Sequence, residues 1–406
     1  MDTNSNIMYE KNPTINNINH KNINLNNSST NEYEYSKFIN GININNLIIN
    51  KPKPKNVYKI RNADVDLIRI IGMYGIIITH LIYSDGGAIK YSQYQKELKI
   101  LYIITAWHID GFALKSGFVG YKSYKYSNLL YLWLEVLFYS VGFYYYFKTF
   151  KKNFIIRHDI SFEFSPVIFK RYWYFTAYFG MYLLIPVINK GISNVSQNEF
   201  RFIVITILCL FVFWRDFKNP KEDVFYLNNG NSMMWLLIYY LIGAYIGKYR
   251  IHYIGLKKYI FCSIYFLIYL FSIYIFFKVD NDQLYLGNSK VSKKIVSFLK
   301  QIITTRLDSI LKVIQSISIS LFFLQINYNK YFAKIICFCG PSVFGIYLAH
   351  INSIVNQNIL KHIFDNEKKY ISLPLTMLLI SFKGLKVFII SIIIDLGRYI
   401  LFNLLR

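Results

Sequence analysis

Apolar runs of about twenty residues, separated by short polar breaks, recur from residue 65 to the end of the chain. A run of that length crosses a hydrocarbon core as a helix. In lipid each backbone amide must be satisfied without water, which leaves helices or a closed barrel, and the alternation of a barrel strand is absent. The expected fold is therefore all-α, a polytopic transmembrane bundle of about ten helices. Apolar length and flanking polar residues place the spans at 65–83, 99–118, 128–147, 172–188, 201–215, 232–248, 259–278, 309–327, 342–360 and 384–404. The stretch 371–382 is either an eleventh span or the first part of a bent last helix.

Composition agrees, with 54 % hydrophobic, 19 % aromatic and only 17 % charged residues. A net charge of +24 would suggest nucleic acid in a soluble protein. Here the lysines lie mainly in the breaks between apolar runs, so membrane lipid headgroups are the expected partner and nucleic acid is not. Lys51, Lys53, Lys55, Lys59 and Arg61 precede the first span and favour a cytosolic N-terminus. With ten spans, the clusters Lys148, Lys151, Lys152, Arg157 and Lys290, Lys293, Lys294 fall on the far side, so loop charge does not settle orientation. Cys209, Cys262, Cys337 and Cys339 sit in or beside apolar runs and imply no disulfide framework. Cys337 and Cys339 lack the companion ligands of a zinc site; they read as small core residues, and no metal is expected.

Residues 1–56 alternate Asn with Ile in stretches such as NNINHKNINLNNSSTN and offer no sustained core. They read as a low-complexity, disordered arm ahead of a transmembrane domain at 57–406. No basic region followed by a short apolar core and a cleavage site opens the chain, so the first span is expected to serve in targeting.

That first span, DLIRIIGMYGIIITHLIYSDG, carries Arg69 and His80 eleven positions apart. The spacing is about three turns, which puts both on one face and about 16 Å apart along the axis. Asp66, three residues before Arg69, is placed to hold its guanidinium. One reading makes the pair a single site; the other makes them amphipathic anchors snorkelling to opposite headgroup layers. An arginine in a span costs about 2.5 to 3.5 kcal/mol and usually faces a bundle interior or a wet path, and neutral histidine can take a proton from a hydroxyl.

The second run, YIITAWHIDGFALKSGFVGY, holds His108, Asp110, Lys115 and Ser116 beside Gly111 and Gly117. Its glycines either break the helix and expose N–H groups to an oxyanion, or form a close-packed helix interface with an interfacial Lys115. His350 follows Tyr347 by three residues in a span opened by Pro341, and is either a packed or a catalytic histidine. Glu135, Arg171, Asp395 and Arg398 are further ionisable residues in or near spans, and the spacing of the last two suits mutual neutralisation.

Four blocks together resemble the acyltransferase 3 family of integral-membrane O-acyltransferases, especially members that modify polysaccharides. They are DVDLIRIIGMYGIIITH, WHIDGFALKSGFVGYKSYK, YWYFTAYFGMYLLIPVIN and CGPSVFGIYLAHIN, in the family's order. The resemblance implies transfer of an acyl group, usually acetyl from acetyl-CoA on the cytosolic side, to a hydroxyl of a glycan or glycolipid. It implies no tightly bound cofactor, only acetyl-CoA or another acyl-CoA as donor. By carry-over His80 is the catalytic histidine and Arg69 its partner; Asp66, Asp110, Ser116 and His350, read from the residues themselves, are the candidate supporting residues. Lys122 and Lys125, where arginines are common in the family, are candidates for the coenzyme's phosphates, although lysine offers a point charge in place of a fork. Lys115 is a departure, since many relatives carry an uncharged residue there. The rival readings are a multi-pass permease, against which stands the lack of an internal repeat, and an inactive scaffold of the same fold.

Overall fold

The computed structural model describes residues 63–83, 87–88, 94–105, 107–151, 153–154, 156, 159–214, 223, 225–251, 257–280, 308–365 and 372–404. The Asn-rich arm, the basic residues before the first span, and Lys152, Arg157, Lys290, Lys293 and Lys294 lie outside the described residues. Every regular element among the described residues is helical.

The elements are α1 (Ala63–Tyr83), α2 (Gln95–Thr105), α3 (His108–Gly120), α4 (Tyr126–Phe150), α5 (Ile160–Phe164), α6 (Trp173–Asn194) and α7 (Gln197–Leu208). A π-helical turn, Cys209–Trp214, extends α7. There follow α8 (Met233–Lys248), α9 (Lys258–Asp280), α10 (Ile310–Phe323), α11 (Lys330–Cys339), α12 (Val343–Ile351), α13 (Ser353–Asn358) and α14 (Leu373–Leu404). Ser196 opens α7 with a reciprocal capping box to Glu199, and Asn329 and Ser232 cap α11 and α8.

Among the described residues, five helices are long and apolar enough to cross a membrane: Ala63–Tyr83, Gln197–Trp214, Lys258–Lys278, Lys330–Ile351 and Leu373–Phe402. This measure does not reach the expected ten, for identifiable reasons. The run 99–118 is not one helix: it breaks around Trp107 into α2 and α3. Helices α8 and α10 are apolar but only 16 and 14 residues long. Helices α4 and α6 have 25 and 22 residues, but the tyrosines of α4 and the polar end of α6, with Asn189 and Lys190, dilute the hydropathy. Of the two readings of 371–382, the structure gives the second: from Leu373 it is the first part of the last helix, joining 384–404 in the 32-residue α14.

Helix α3 makes the closest seam, against α8. A Cβ on Gly117 would strike the Tyr240 carbonyl, and one on Gly243 would strike that of Leu114. Glycine on both sides lets the two backbones touch, the device of small-residue crossings in lipid. So Gly117 serves the interface, and Lys115 is buried, with its ammonium 4.8 Å from the Phe112 ring centre, rather than interfacial.

Paired contacts give the running directions. His108 lies against Gly75 and Phe112 against Gly72, so α3 runs antiparallel to α1. Its C-terminal turn, Tyr121 to Lys125, therefore sits at the Arg69 end of α1. Helix α6 fastens that turn: Asn189 Nδ2 donates to the Gly120 carbonyl at 2.8 Å and the Tyr182 hydroxyl to that of Lys125 at 3.2 Å. Gly340 lies on Asp66 and His350 beside His80, so the α11–α12 junction runs parallel to α1.

Candidate active site

One cavity of about 380 Å³ opens between α1, α3, α4, α6 and the α11–α12 junction. Helix α1 lines it with Arg69, Met73, Ile76 and His80. These are positions i, i+4, i+7 and i+11, a single stripe of an α-helix. Helix α3 adds Ile109, Phe112 and Ser116, α4 adds Leu132 and Glu135, and α6 adds Trp173, Tyr174 and Tyr178. The α11–α12 junction adds Pro341, Phe344 and Tyr347. Arg69 and His80 thus face the bundle interior, and the reading as outward anchors does not hold.

Arg69 Nη1 lies 3.3 Å from Asp66 Oδ1, and the Asp66 side chain is 2 % exposed against 30 % for Arg69. The carboxylate sits beneath Gly340, where any Cβ would collide with it. A buried acid there neutralises and aims the guanidinium, leaving its outer donors toward the cavity. Ser116 Oγ donates to the Phe112 carbonyl at 3.1 Å and lies 3.4 Å from the Tyr178 hydroxyl, and the antiparallel register of α3 puts these two hydroxyls at the level of Arg69. His350 does not line the cavity; it is buried and meets His80 ring to ring, with centroids 5.3 Å apart.

Asp110 is not part of this cavity. It lies off the stripe of Ile109, Phe112 and Ser116 and points into the α3–α8 seam, where Oδ1 accepts from Trp235 Nε1 at 2.9 Å. Lys122 and Lys125 are exposed on the turn after α3 and do not line the cavity either. They stand beyond its Arg69 end, on a turn held by Tyr182 and Asn189.

Sequence reasoning did not assign Glu135, Trp173, Tyr174 or Tyr178 to the site. A single acid inside the apolar run of α4 was the available signal for Glu135. Its Oε1 lies 3.3 Å from Arg398 Nη2 but without hydrogen-bond geometry. Arg398 is committed to Asp395 by bonds of 2.7 and 3.2 Å. A second buried set joins Glu163 to Ser140 and Arg171, and Arg171 to Ser353 Oγ at 2.8 Å, which pins α5 to α4 and α13. Among the described residues no group of His, Cys, Asp and Glu is placed to hold a metal ion.

The family model Acyl_transf_3, described as an acyltransferase domain, matches residues 62–395, most of the chain and all four sequence blocks quoted above. No curated protein and no solved structure matches the chain.

Proposed function

The chain belongs to the acyltransferase 3 family and is a membrane acyltransferase, and from that premise we propose that it is an O-acyltransferase moving acetyl from acetyl-CoA to a hydroxyl of a glycan or glycolipid. The observation that carries this reading is the α1 stripe, which places Arg69 and His80 on one wall of one cavity.

Their separation divides the labour. About 16 Å along the helix axis is too far for both groups to act on one carbonyl. Arg69 therefore holds the donor nearer its phosphates, with Lys122 and Lys125 beyond it at the same end and the Ser116 and Tyr178 hydroxyls beside it. His80 acts on the reacting atoms. As general base it takes the acceptor hydroxyl's proton while that oxygen attacks the thioester carbonyl. The C–S bond then breaks, the proton passes to the coenzyme's sulfur, and an ester and free thiol result. Glu135 offers carboxylate oxygen to the acceptor's other hydroxyls, and Trp173 and Tyr174 offer flat apolar faces, a combination suited to a sugar ring. The protein is then a multi-pass membrane enzyme that takes its donor from the cytosol, on the side of its N-terminus.

The test is thermal unfolding of the detergent-solubilised protein with acetyl-CoA, beside transfer of radiolabelled acetate to host glycans. Saturating donor at about 100 Kd is expected to stabilise the wild type by about 2.7 kcal/mol. Arg69→Ala is expected to weaken that shift. His80→Ala is expected to keep it and to lose about 10² to 10⁴ in transfer. Transfer unchanged in His80→Ala would overturn the role of that residue. A folded wild type that neither binds donor nor transfers acetate, but takes up solute in vesicles, would favour the permease.

A further inference from the structure

His350 of α12 is 1 % exposed. Its Nδ1 lies 2.7 Å from the carbonyl oxygen of Ile346, one turn earlier in the same helix. A carbonyl oxygen only accepts, so Nδ1 carries a proton, and in the neutral ring Nε2 is left with a lone pair. That Nε2 is buried and has no hydrogen-bond partner. A buried polar atom left unpaired is costly, and one kept beside a functional site calls for a reason.

The ring facing it is His80, with centroids 5.3 Å apart and planes at 65°. An in-line N–H···N bond of about 3 Å, added to the two ring radii, gives a centroid spacing close to this. The last side-chain torsion of histidine has a broad profile, so a modest turn of the His80 ring is enough to aim an N–H at the free nitrogen. The other aromatic beside His350 is Tyr347, at 6.3 Å between centroids.

We propose that His350 is the positioning residue for His80: its Nε2 accepts the N–H of His80, fixing one tautomer so that the other His80 nitrogen faces the cavity with its lone pair. The proposal rests on the O-acyltransferase reading only for its consequence in catalysis. When His80 takes the acceptor's proton at its cavity nitrogen, the opposite N–H stays bonded to His350. The charge formed in that step is then steadied by a neutral acceptor in place of a carboxylate. The backbone bond to Ile346 makes the acceptor unambiguous, because it keeps the proton of His350 on the far nitrogen.

The test uses the full chain in detergent, labelled with ¹⁵N-histidine, with the His80 signals identified by their loss in His80→Gln. Wild type is expected to show neutral His80 as a single tautomer. His350→Leu is expected to show a mixture of the two, and His350→Gln, whose amide oxygen accepts, to restore one. Acetate transfer is expected to fall at least tenfold in kcat for His350→Leu, with KM for acetyl-CoA unchanged, and to recover in part in His350→Gln. Mixed tautomers of His80 in the wild type would overturn the proposal without any variant, as would an unchanged pattern in a folded His350→Leu. A wild type with a single His80 tautomer and no acyl transfer would instead sink the O-acyltransferase reading and leave the pairing in place.

Discussion

Arg398 serves two acids at once. It bonds both oxygens of Asp395, lies 3.3 Å from Glu135, and thereby steadies the carboxylate that also accepts from the Tyr139 hydroxyl at 2.9 Å. Removing a shared cation strands two buried acids, and breaking a buried pair costs about 3–5 kcal/mol. Tyr139→Phe removes only one hydrogen bond to a charged group, about 1.5–3 kcal/mol. Arg398→Leu is therefore expected to lower stability more than Tyr139→Phe, read by denaturation in one detergent. Equal losses would mean that Glu135 is not held by this arginine. The Asp395–Arg398 half was legible in the sequence, because a three-residue spacing on a helix is local. The Glu135 half was not, since a pairing between α4 and α14 leaves no local signature. Arg69 and His80 could be read for the same reason as Asp395, as charge on one face of an apolar helix. Asp110 misled because polarity marks a residue as special without saying which neighbour it meets.

At the scale of elements, the α3–α8 seam decides what a glycine is for. Around Gly117 and Gly243 the obstructing atoms are backbone carbonyls, which cannot swing aside as a side chain does. Gly243→Ala is expected to cost about 1–3 kcal/mol, the range for forcing atoms into a packed interface. Gly142 in α4 has nothing within 4 Å of its would-be Cβ. Gly142→Ala is expected to be neutral or to gain up to about 1 kcal/mol from helix propensity. Thermal midpoints of the two variants in the same detergent check the contrast, and equal behaviour would refute the seam. Sequence reading left the glycines of the second run between two uses because a close approach belongs to two helices, and only one was being read. The break at Trp107 escaped for a different reason. The sequence reading looked for a break at the glycines, whereas the helix stops at Thr105 and restarts at His108, ahead of Gly111. The join of 371–382 to 384–404 was one of two readings the sequence left open, and α14 runs unbroken through the polar Ser381 and Lys383.

For the molecule as a whole, the helix directions constrain what loop charge left open. The turn bearing Lys122 and Lys125 lies at the Arg69 end of α1, and the end of α6 returns there, since Tyr182 and Asn189 grip that turn. Helix α4 leaves from Lys125 and, with 25 residues, carries Phe150 about 37 Å away along its axis. That exceeds a hydrocarbon core of about 30 Å, so Lys148 and Lys151 stand at the opposite end. One basic cluster must then face the non-cytosolic side in either orientation, which is why counting charges could not choose. On the proposed reading, which takes the lysines ahead of α1 as the cytosolic flank, the Arg69 end faces the cytosol. With the four native cysteines replaced, Ser123→Cys and Ser193→Cys are expected to resist a membrane-impermeant maleimide in intact cells and to react once the membrane is opened. Lys151→Cys is expected to react in intact cells. Reaction of Ser123→Cys and Lys151→Cys from the same side would break the antiparallel reading of the bundle. The reverse pattern at both ends would keep the bundle and move the donor's entrance to the other face of the membrane, away from cytosolic acetyl-CoA.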